Sequence, residues 1–140
     1  MKFKFITLLL VLSFSSCTKQ DPQDQMKNIC GYWEIKKVET PYDKEVEYAM
    51  STLVDYIELK DTTGYRLKLA PVIDGSFKKS KSRENIIVKV EDDSLRLYYS
   101  TPYDKWKETV LLADGEILKV KNEKGIIYTY KPFEKIDITQ

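Results

Sequence analysis

The chain has 140 residues, enough for one domain of ordinary size, with 23 Lys and Arg against 22 Asp and Glu and a net charge of +1. This balance excludes the strongly basic surface by which most proteins hold nucleic acid. Histidine is absent, which excludes Ser–His–Asp and Cys–His catalytic sites and the imidazole ligands of common zinc and iron sites. We therefore expect no catalytic residues, no metal, no cofactor and no nucleic-acid partner, although the composition leaves a carboxylate-only active site open.

The N-terminus predicts a secretory signal peptide over residues 1–16. Lys2 and Lys4 make a positively charged start, residues 5–14 are apolar, and two small residues follow. Ten helical residues span roughly 15 Å, about half the hydrocarbon core of a bilayer, so this segment is too short for a transmembrane helix. We expect it to be removed on export.

Cys17 follows this segment directly and predicts a lipid anchor. Phe14, Ser15, Ser16 and Cys17 resemble the lipobox of bacterial lipoproteins, in which the cysteine thiol receives a diacylglycerol and the new N-terminus is acylated. Phe14 replaces the usual leucine, a variation familiar in lipoproteins of the Bacteroidetes type. The resemblance implies a cell-envelope protein held in a membrane, the outer one by preference, through its acyl chains. A plain secreted protein is the alternative.

Residues 17–28 predict a flexible tether between the anchor and the folded domain, because the stretch is almost entirely polar. Cys30 follows shortly after it. With Cys17 lipidated, Cys30 has no partner within the chain, so no disulfide is expected. The folded domain is expected to span residues 29–134, with a short C-terminal tail at 135–140.

From residue 29 onward, apolar and polar residues alternate in short runs, which indicates half-buried antiparallel strands. Turn residues such as Asp74-Gly75 and Asp114-Gly115 separate the runs and indicate hairpins. The pattern predicts eight or nine strands in an up-and-down meander. The apolar residues of the runs are Trp33 and Ile35; Ile57 and Leu59; Tyr65, Leu67 and Leu69; Ile86, Val88 and Val90; Leu95, Leu97 and Tyr99; Trp106 and Val110; Leu118 and Val120; and Tyr128 and Tyr130.

Residues 43–53 interrupt the alternation and predict a short helix after the first strand. Val46, Met50 and Leu53 fall at positions i, i+4 and i+7, and Asp43 is a suitable N-cap. Such a helix could lie across one mouth of a barrel.

A meander of this length predicts closure into an all-β antiparallel barrel, because closure removes the exposed edges and buries the apolar face. An eight-stranded barrel has an interior just wide enough for packed side chains or for one small ligand. The alternation leaves both possibilities open.

The motif Gly31-Tyr32-Trp33 at the start of the first strand matches the Gly-x-Trp signature of lipocalins. The chain resembles the lipocalin-like lipoproteins of Bacteroidetes over about residues 29–133. That resemblance implies a calyx that binds small apolar molecules and has a tryptophan plug at its closed end. On this basis Trp33 is the plug, and Lys131 is the basic residue stacked on it, where arginine is more usual. The other segments that carry the resemblance are residues 55–59, 95–99, 106–108 and 128–131.

Five aromatic residues are the candidate lining of a ligand cavity, because they offer apolar faces with polar tips. In a closed barrel the same residues would instead fill the core. They are Tyr65, Tyr99, Trp106, Tyr128 and Tyr130.

Two functions are consistent with these features. The first is a lipid-anchored, non-enzymatic protein that binds a small hydrophobic or amphiphilic ligand inside the barrel. The second is an accessory or immunity-type lipoprotein with a closed barrel, which binds a protein or a glycan through its outer face. Tyr32, Tyr98 and Tyr103 are the outward-facing candidates for that second function.

Overall fold

The computed structural model describes residues 19–135. The predicted signal peptide, Cys17 and the last five residues of the predicted tail lie outside the described residues. One helix and nine strands are present in the part described: α1 (Pro22–Lys27), β1 (Gly31–Glu39), β2 (Glu45–Glu47), β3 (Val54–Lys60), β4 (Thr63–Pro71), β5 (Phe77–Glu91), β6 (Ser94–Ser100), β7 (Lys105–Ala113), β8 (Leu118–Asn122) and β9 (Ile127–Pro132).

The strands form one antiparallel sheet that closes on itself. β1 pairs with β3 along one edge and with β9 along the other, so eight strands close the barrel in the order β1, β3, β4, β5, β6, β7, β8, β9. β2 is additional and pairs with the second half of β1. The predicted all-β up-and-down barrel is confirmed.

The helix predicted for residues 43–53 is wrong. The chain reverses in a tight turn, in which the Thr40 N–H donates to the Lys44 carbonyl (2.8 Å) and Asp43 adopts a positive φ of 57°. Val46 then lies opposite Val38 in the β1–β2 pair. The strand pairing satisfies backbone groups on the open edge of β1, which a helix would leave unpaired. The apolar residues at helical spacing therefore do not form a buried face.

The predicted tether is also partly wrong, because residues 19–28 are ordered against the barrel. Asp21 caps α1 by accepting from the Gln23 N–H (2.7 Å), and Pro22 occupies the first turn. The Gln20 side-chain Nε2–H donates to the Ala113 carbonyl (2.6 Å), and its Oε1 accepts from the Ala113 N–H (3.0 Å). Polar residues make these contacts through amide hydrogen bonds, so hydrophobic patterning cannot reveal them.

The core fills the barrel and continues under α1. Trp33 is 3% exposed, and its indole Nε1–H donates to the Ile29 carbonyl (2.7 Å). Met26 of α1 packs against the same cluster. Cys30, by contrast, is exposed. The remaining buried apolar residues of the cluster are Ile57, Ile86, Val88, Leu95, Leu97, Tyr99, Val110, Ala113, Leu118 and Val120.

The β4–β5 hairpin bends over the outer face of the barrel. The pairing advances from Leu67 opposite Arg83 to Leu69 opposite Lys79, two residues along β4 against four along β5. Such a bulge kinks the ladder. Beyond it, Phe77 reaches the outer side of β1 and stacks on Tyr32, with ring centroids 5.3 Å apart.

Candidate functional site

The barrel interior has no room for a small-molecule ligand. Its cavity measures about 10 Å³, which is at most the space of one water molecule. Tyr99, Trp106, Tyr128 and Tyr130 face inward as predicted, but they pack against the core and do not surround an opening. Tyr99 and Trp106 stack with ring centroids 5.2 Å apart. The structure therefore gives no support to a ligand inside the barrel.

Tyr65, the fifth predicted lining residue, lies on the outer face. Its hydroxyl donates to Glu58 Oε2 (2.6 Å), and its ring meets Tyr56 edge-on, with centroids 6.2 Å apart. The Arg83 guanidinium lies 4.0 Å from the centroid of the same ring. The prediction was wrong because the next residue, Arg66, is the one that points into the barrel.

Lys131 does not stack on Trp33. The β1–β9 register places Trp33 opposite Pro132, and Lys131 opposite Glu34. Because successive residues of a strand point to opposite faces, Lys131 projects outward while Trp33 projects inward. The predicted pair of plug and basic partner is wrong, although Trp33 itself is buried in the core.

A buried ionic cluster occupies the interior in place of a ligand. The Arg66 side chain is 8% exposed and contacts carboxylates from three other strands: Glu84, Glu108 (3.7 Å) and Asp55 (3.9 Å). Its guanidinium also lies 4.3 Å from the centroid of the Tyr99 ring. We call Asp55, Arg66, Glu84 and Glu108 the interior ionic cluster.

Burial controls the charges in this cluster. It raises the pKa of Glu108, and the Arg66 guanidinium only partly opposes this change. Burial alone would lower the pKa of Arg66, but Tyr99, Glu108, Glu84 and Asp55 together raise it well above its usual value. Glu108 Oε2 is buried and has no hydrogen-bond partner. The Arg66 guanidinium and the Tyr99 hydroxyl both act to lower the pKa of Glu108, but they do not offset its burial.

The raised pKa of Glu108 predicts a stability that depends on pH. The folded state holds the Glu108 proton more tightly than the unfolded chain, whose carboxyl has a pKa near 4.5, so the free energy of unfolding should fall as pH rises from 4.5 through the folded-state pKa. In Glu108→Gln this part of the decline should vanish. Urea unfolding from pH 4.5 to 8 at constant ionic strength measures it, with Glu47→Gln on exposed β2 as the control. Parallel pH profiles for Glu108→Gln and the wild type would contradict the prediction.

A cavity of about 470 Å³ lies on the outer face of the barrel, and we call it the outer pocket. Four parts of the chain line it: Glu34 of β1, residues 49–52 before β3, residues 71–77 at the turn between β4 and β5, and residues 131–135 at the end of β9. Its volume falls in the range of about 300–1,000 Å³ that small-molecule sites occupy. It is the candidate functional site.

The rings of Phe77 and Phe133 form one side of the outer pocket, and Tyr32 supports Phe77 from behind. Phe77 lies between Tyr32 and Phe133, with centroid distances of 5.3 and 5.7 Å. The Phe133 N–H donates to the Tyr32 carbonyl (2.9 Å), which fixes the C-terminal segment beside β1. Since the rings come from β1, β5 and the segment after β9, the pocket exists only in the folded chain.

Glu34 provides a buried carboxylate in the lining of the outer pocket. Its Oε1 accepts a hydrogen bond from the Ser51 N–H (3.2 Å), which holds residues 49–52 against β1. Met50 and Ile73 lie at the rim and are 75% and 78% exposed. The pocket therefore combines an aromatic wall, an exposed apolar rim and charged groups.

A second depression, of about 490 Å³, lies between the β1–β2 turn and the β8–β9 hairpin. Its lining consists of Thr40, Pro41, Tyr42, Lys44, Lys124 and Ile126, and none of these side chains is buried. It lacks the buried charge and the stacked rings of the outer pocket, and so is the weaker candidate.

Sequence reasoning missed the outer pocket. Its lining comes from Glu34 and three later segments that are far apart along the chain, and no motif links them. The only local signal was the turn at Asp74-Gly75, where the Ser76 N–H donates to the Asp74 carboxylate (2.8 Å). The bulge in β5 decides where that turn lies, and the alternation gave no sign of it.

Comparisons with known proteins add a fold-level similarity only. No protein-family model matches the chain, and no curated protein matches it significantly. A solved structure of a lipocalin-like protein from Bacteroides uniformis ATCC 8492 matches with 9% identity and a TM-score of 0.49, covering 76% of this chain and 99% of that one. The barrel is established by the strand pairing of this chain.

Two further features concern residues 19–135. Helix α1, with six residues, is far shorter than a bilayer crossing requires, and this stretch contains no helix long and apolar enough to span a membrane. The same residues contain no group of three or more Cys, Asp or Glu side chains placed to hold a metal ion.

Proposed function

We propose that this protein is a lipid-anchored, non-enzymatic binding protein that takes a small amphiphilic ligand in the outer pocket. The observation that carries the proposal is the contrast between an interior of about 10 Å³ and an outer pocket of about 470 Å³. The aromatic wall offers apolar contact, and the surrounding charged groups suit a polar headgroup.

The absence of histidine supports a non-enzymatic role. The interior carboxylates also suit a structural role better than a catalytic one. Arg66 lies within 3.9 Å of Asp55 and within 3.7 Å of Glu108, and all three side chains are at most 8% exposed. A substrate would have to displace the core to reach them.

The lipid anchor rests on the sequence from Lys2 to Cys17, and on its likeness to a lipobox. With Cys17→Ser we expect the chain to lose its acyl chains and to leave the membrane fraction, because a Ser hydroxyl does not replace the thiol as the acceptor. Detergent phase partition and mass spectrometry of the purified chain measure this, with Cys30→Ser as the matched control. Equal membrane retention of the Cys17→Ser variant would contradict the anchor.

Ligand binding can be tested on the mature chain, residues 17–140, carrying Cys17→Ser. A neutral apolar dye such as Nile red should bind to it. With Ile73→Asp, the affinity should fall by about tenfold or more, because the aspartate places an unpaired charge at the rim of an apolar site. Ile73 is 78% exposed, so folding should be unaffected. Dye fluorescence measures the affinity.

Tyr103→Asp is the matched control for this test. Tyr103 lies at an exposed turn position between β6 and β7, is 97% exposed, and does not line the outer pocket. Its substitution should leave dye affinity unchanged. Equal losses in the two variants, or no binding to the parent chain, would count against the outer pocket.

A closed barrel that binds a protein partner is the second candidate function. The exposed apolar side chains of Met50, Leu53 and Ile73 support it, because they lie on two segments that meet at the same pocket. A protein partner would be expected to protect these residues together from surface labelling.

A further inference from the structure

We infer that the ligand of the outer pocket is a single-chain amphiphile with an anionic headgroup, a carboxylate or a phosphate monoester, held by Lys131 and Lys135. This inference rests on the proposed function, because it names the ligand class of the same site. It follows from which charged groups around the pocket already have hydrogen-bond or ion-pair partners and which do not.

The two lysines that line the outer pocket are available. Among residues 19–135, neither Lys131 nor Lys135 has a carboxylate within 4.0 Å. Lys135 Nζ lies 5.6 Å from the centroid of the Phe77 ring, at the end of the aromatic wall. An ammonium group in this position can contact a headgroup whose chain lies along the rings.

Backbone amides hold two of the three nearby carboxylates in place without removing their charge. The Glu34 carboxylate is buried and accepts from the Ser51 N–H. The Asp74 carboxylate accepts from the Ser76 N–H, and hydrogen bonds from the Ser76 side chain and backbone hold the pKa of Asp74 below its usual value. Glu134 is the third, and it is exposed.

Lys78 and Lys79 add to the positive field. Both directly follow Phe77 on β5, both are exposed, and neither has an ion-pair partner in the described part of the chain. Counted with the two hydrogen-bonded carboxylates, which keep their negative charge, the surroundings carry four ammonium groups against three carboxylates. Lys131 and Lys135, which line the pocket itself, have no ion-pair partner in the described part of the chain.

The apolar requirement comes from the wall and the rim. Phe77 and Phe133 contribute ring faces, Val72 contributes an aliphatic surface, and Met50 and Ile73 lie at the opening. A free inorganic anion would meet the lysines but leave these surfaces in water. An acyl or alkyl chain removes these surfaces from water, which favours binding in proportion to the apolar area buried.

The test compares probes with one twelve-carbon chain and different headgroups: dodecanoate, dodecyl phosphate, dodecyltrimethylammonium and monododecanoyl glycerol. Each is titrated by calorimetry below its micelle concentration into the mature chain carrying Cys17→Ser, at pH 7 and low salt. We expect the two anions to bind about tenfold or more tightly than the cation and the neutral lipid. The stronger of the two anions identifies the headgroup as carboxylate or phosphate.

The double variant K131Q/K135Q should lose this preference while keeping its affinity for the neutral lipid. Replacing the same residues by arginine should restore the preference, which separates charge from folding. The charge-matched control is K105Q/K121Q, at two exposed lysines that do not line the pocket, and it should behave as the parent chain.

Three outcomes would overturn the inference, and they differ in what they leave standing. If the neutral or cationic probe binds as tightly as the anions, the anionic headgroup is wrong but the outer pocket remains a binding site. If none of the four probes binds the parent chain, the proposed function itself fails. Strong competition by inorganic phosphate alone would show an anion site that does not need the chain.

Discussion

Arg66→Met should destabilise the protein by about 3–5 kcal/mol, the range expected when one partner of a buried ion pair is removed. Methionine approximates the length and apolar body of arginine, so packing changes little. The variant leaves Glu84 and Glu108 buried without their cation, whereas Asp55 keeps the Lys68 ammonium at 2.6 Å. Urea unfolding followed by tryptophan fluorescence measures the loss.

Arg83→Met is the matched control, since Arg83 is exposed and stacks over Tyr65 on the outer face. We expect only the small change of an ordinary surface substitution. The triple variant R66M/E84Q/E108Q should recover much of the loss, because it removes the uncompensated charges together with the cation. Equal stabilities for Arg66→Met and Arg83→Met would show that the interior cluster is not held by Arg66.

Trp33→Ala should also destabilise the barrel by about 3–5 kcal/mol, because it empties a large volume in a packed core. Trp33 is 3% exposed and belongs to the same cluster as Ile57 and Leu118. Truncation also leaves the buried Ile29 carbonyl without its indole donor. Thermal unfolding by circular dichroism measures the combined effect.

Trp33→Phe separates these two causes. It keeps most of the ring volume but removes the Nε1–H that donates to the Ile29 carbonyl. We expect a loss of about 1–3 kcal/mol, smaller than for alanine. A loss as large as that of Trp33→Ala would mean that the hydrogen bond, and not the volume, stabilises this end of the barrel.

Strands β4 and β5 contribute residues to both the interior ionic cluster and the outer pocket. Arg66 occupies interior space and brings carboxylates from β3, β5 and β7 together around one guanidinium. With the interior occupied, the binding surface that we propose lies outside the barrel. The bent β4–β5 hairpin supplies part of this surface by placing Phe77 against Tyr32. A substitution that opened the interior, as in R66M/E84Q/E108Q, need not alter the outer pocket.

Local patterns in the sequence were enough to predict the barrel and much of its core. The alternation in β6 predicts that Leu95, Leu97 and Tyr99 share one face, and all three are buried in the structure. Alternation works there because the residues opposite them in β5 are all apolar: Val90, Val88 and Ile86. In β7 the same register is interrupted, since Leu97 lies opposite Glu108 of the interior ionic cluster.

The pattern misleads where charges point inward. In β4, Tyr65 and Leu67 alternate with Arg66 and Lys68, and hydrophobicity alone assigns the apolar set to the core. The structure places Arg66 inside, because its partners on β3, β5 and β7 neutralise it there. Those partners are 11 to 42 residues away in the sequence, so no local window contains the compensation.

The sequence by itself predicted a meander of eight or nine strands and the burial of Trp33, because period-two alternation and turn residues are local properties of the chain. It placed a helix where β2 lies. Only the tertiary structure decided which residues of β4 face the interior, where the β4–β5 hairpin lies, and that the outer pocket is larger than the interior cavity. These features depend on electrostatic compensation and on a strand bulge. Both the compensation and the bulge depend on contacts between strands that are distant in the sequence.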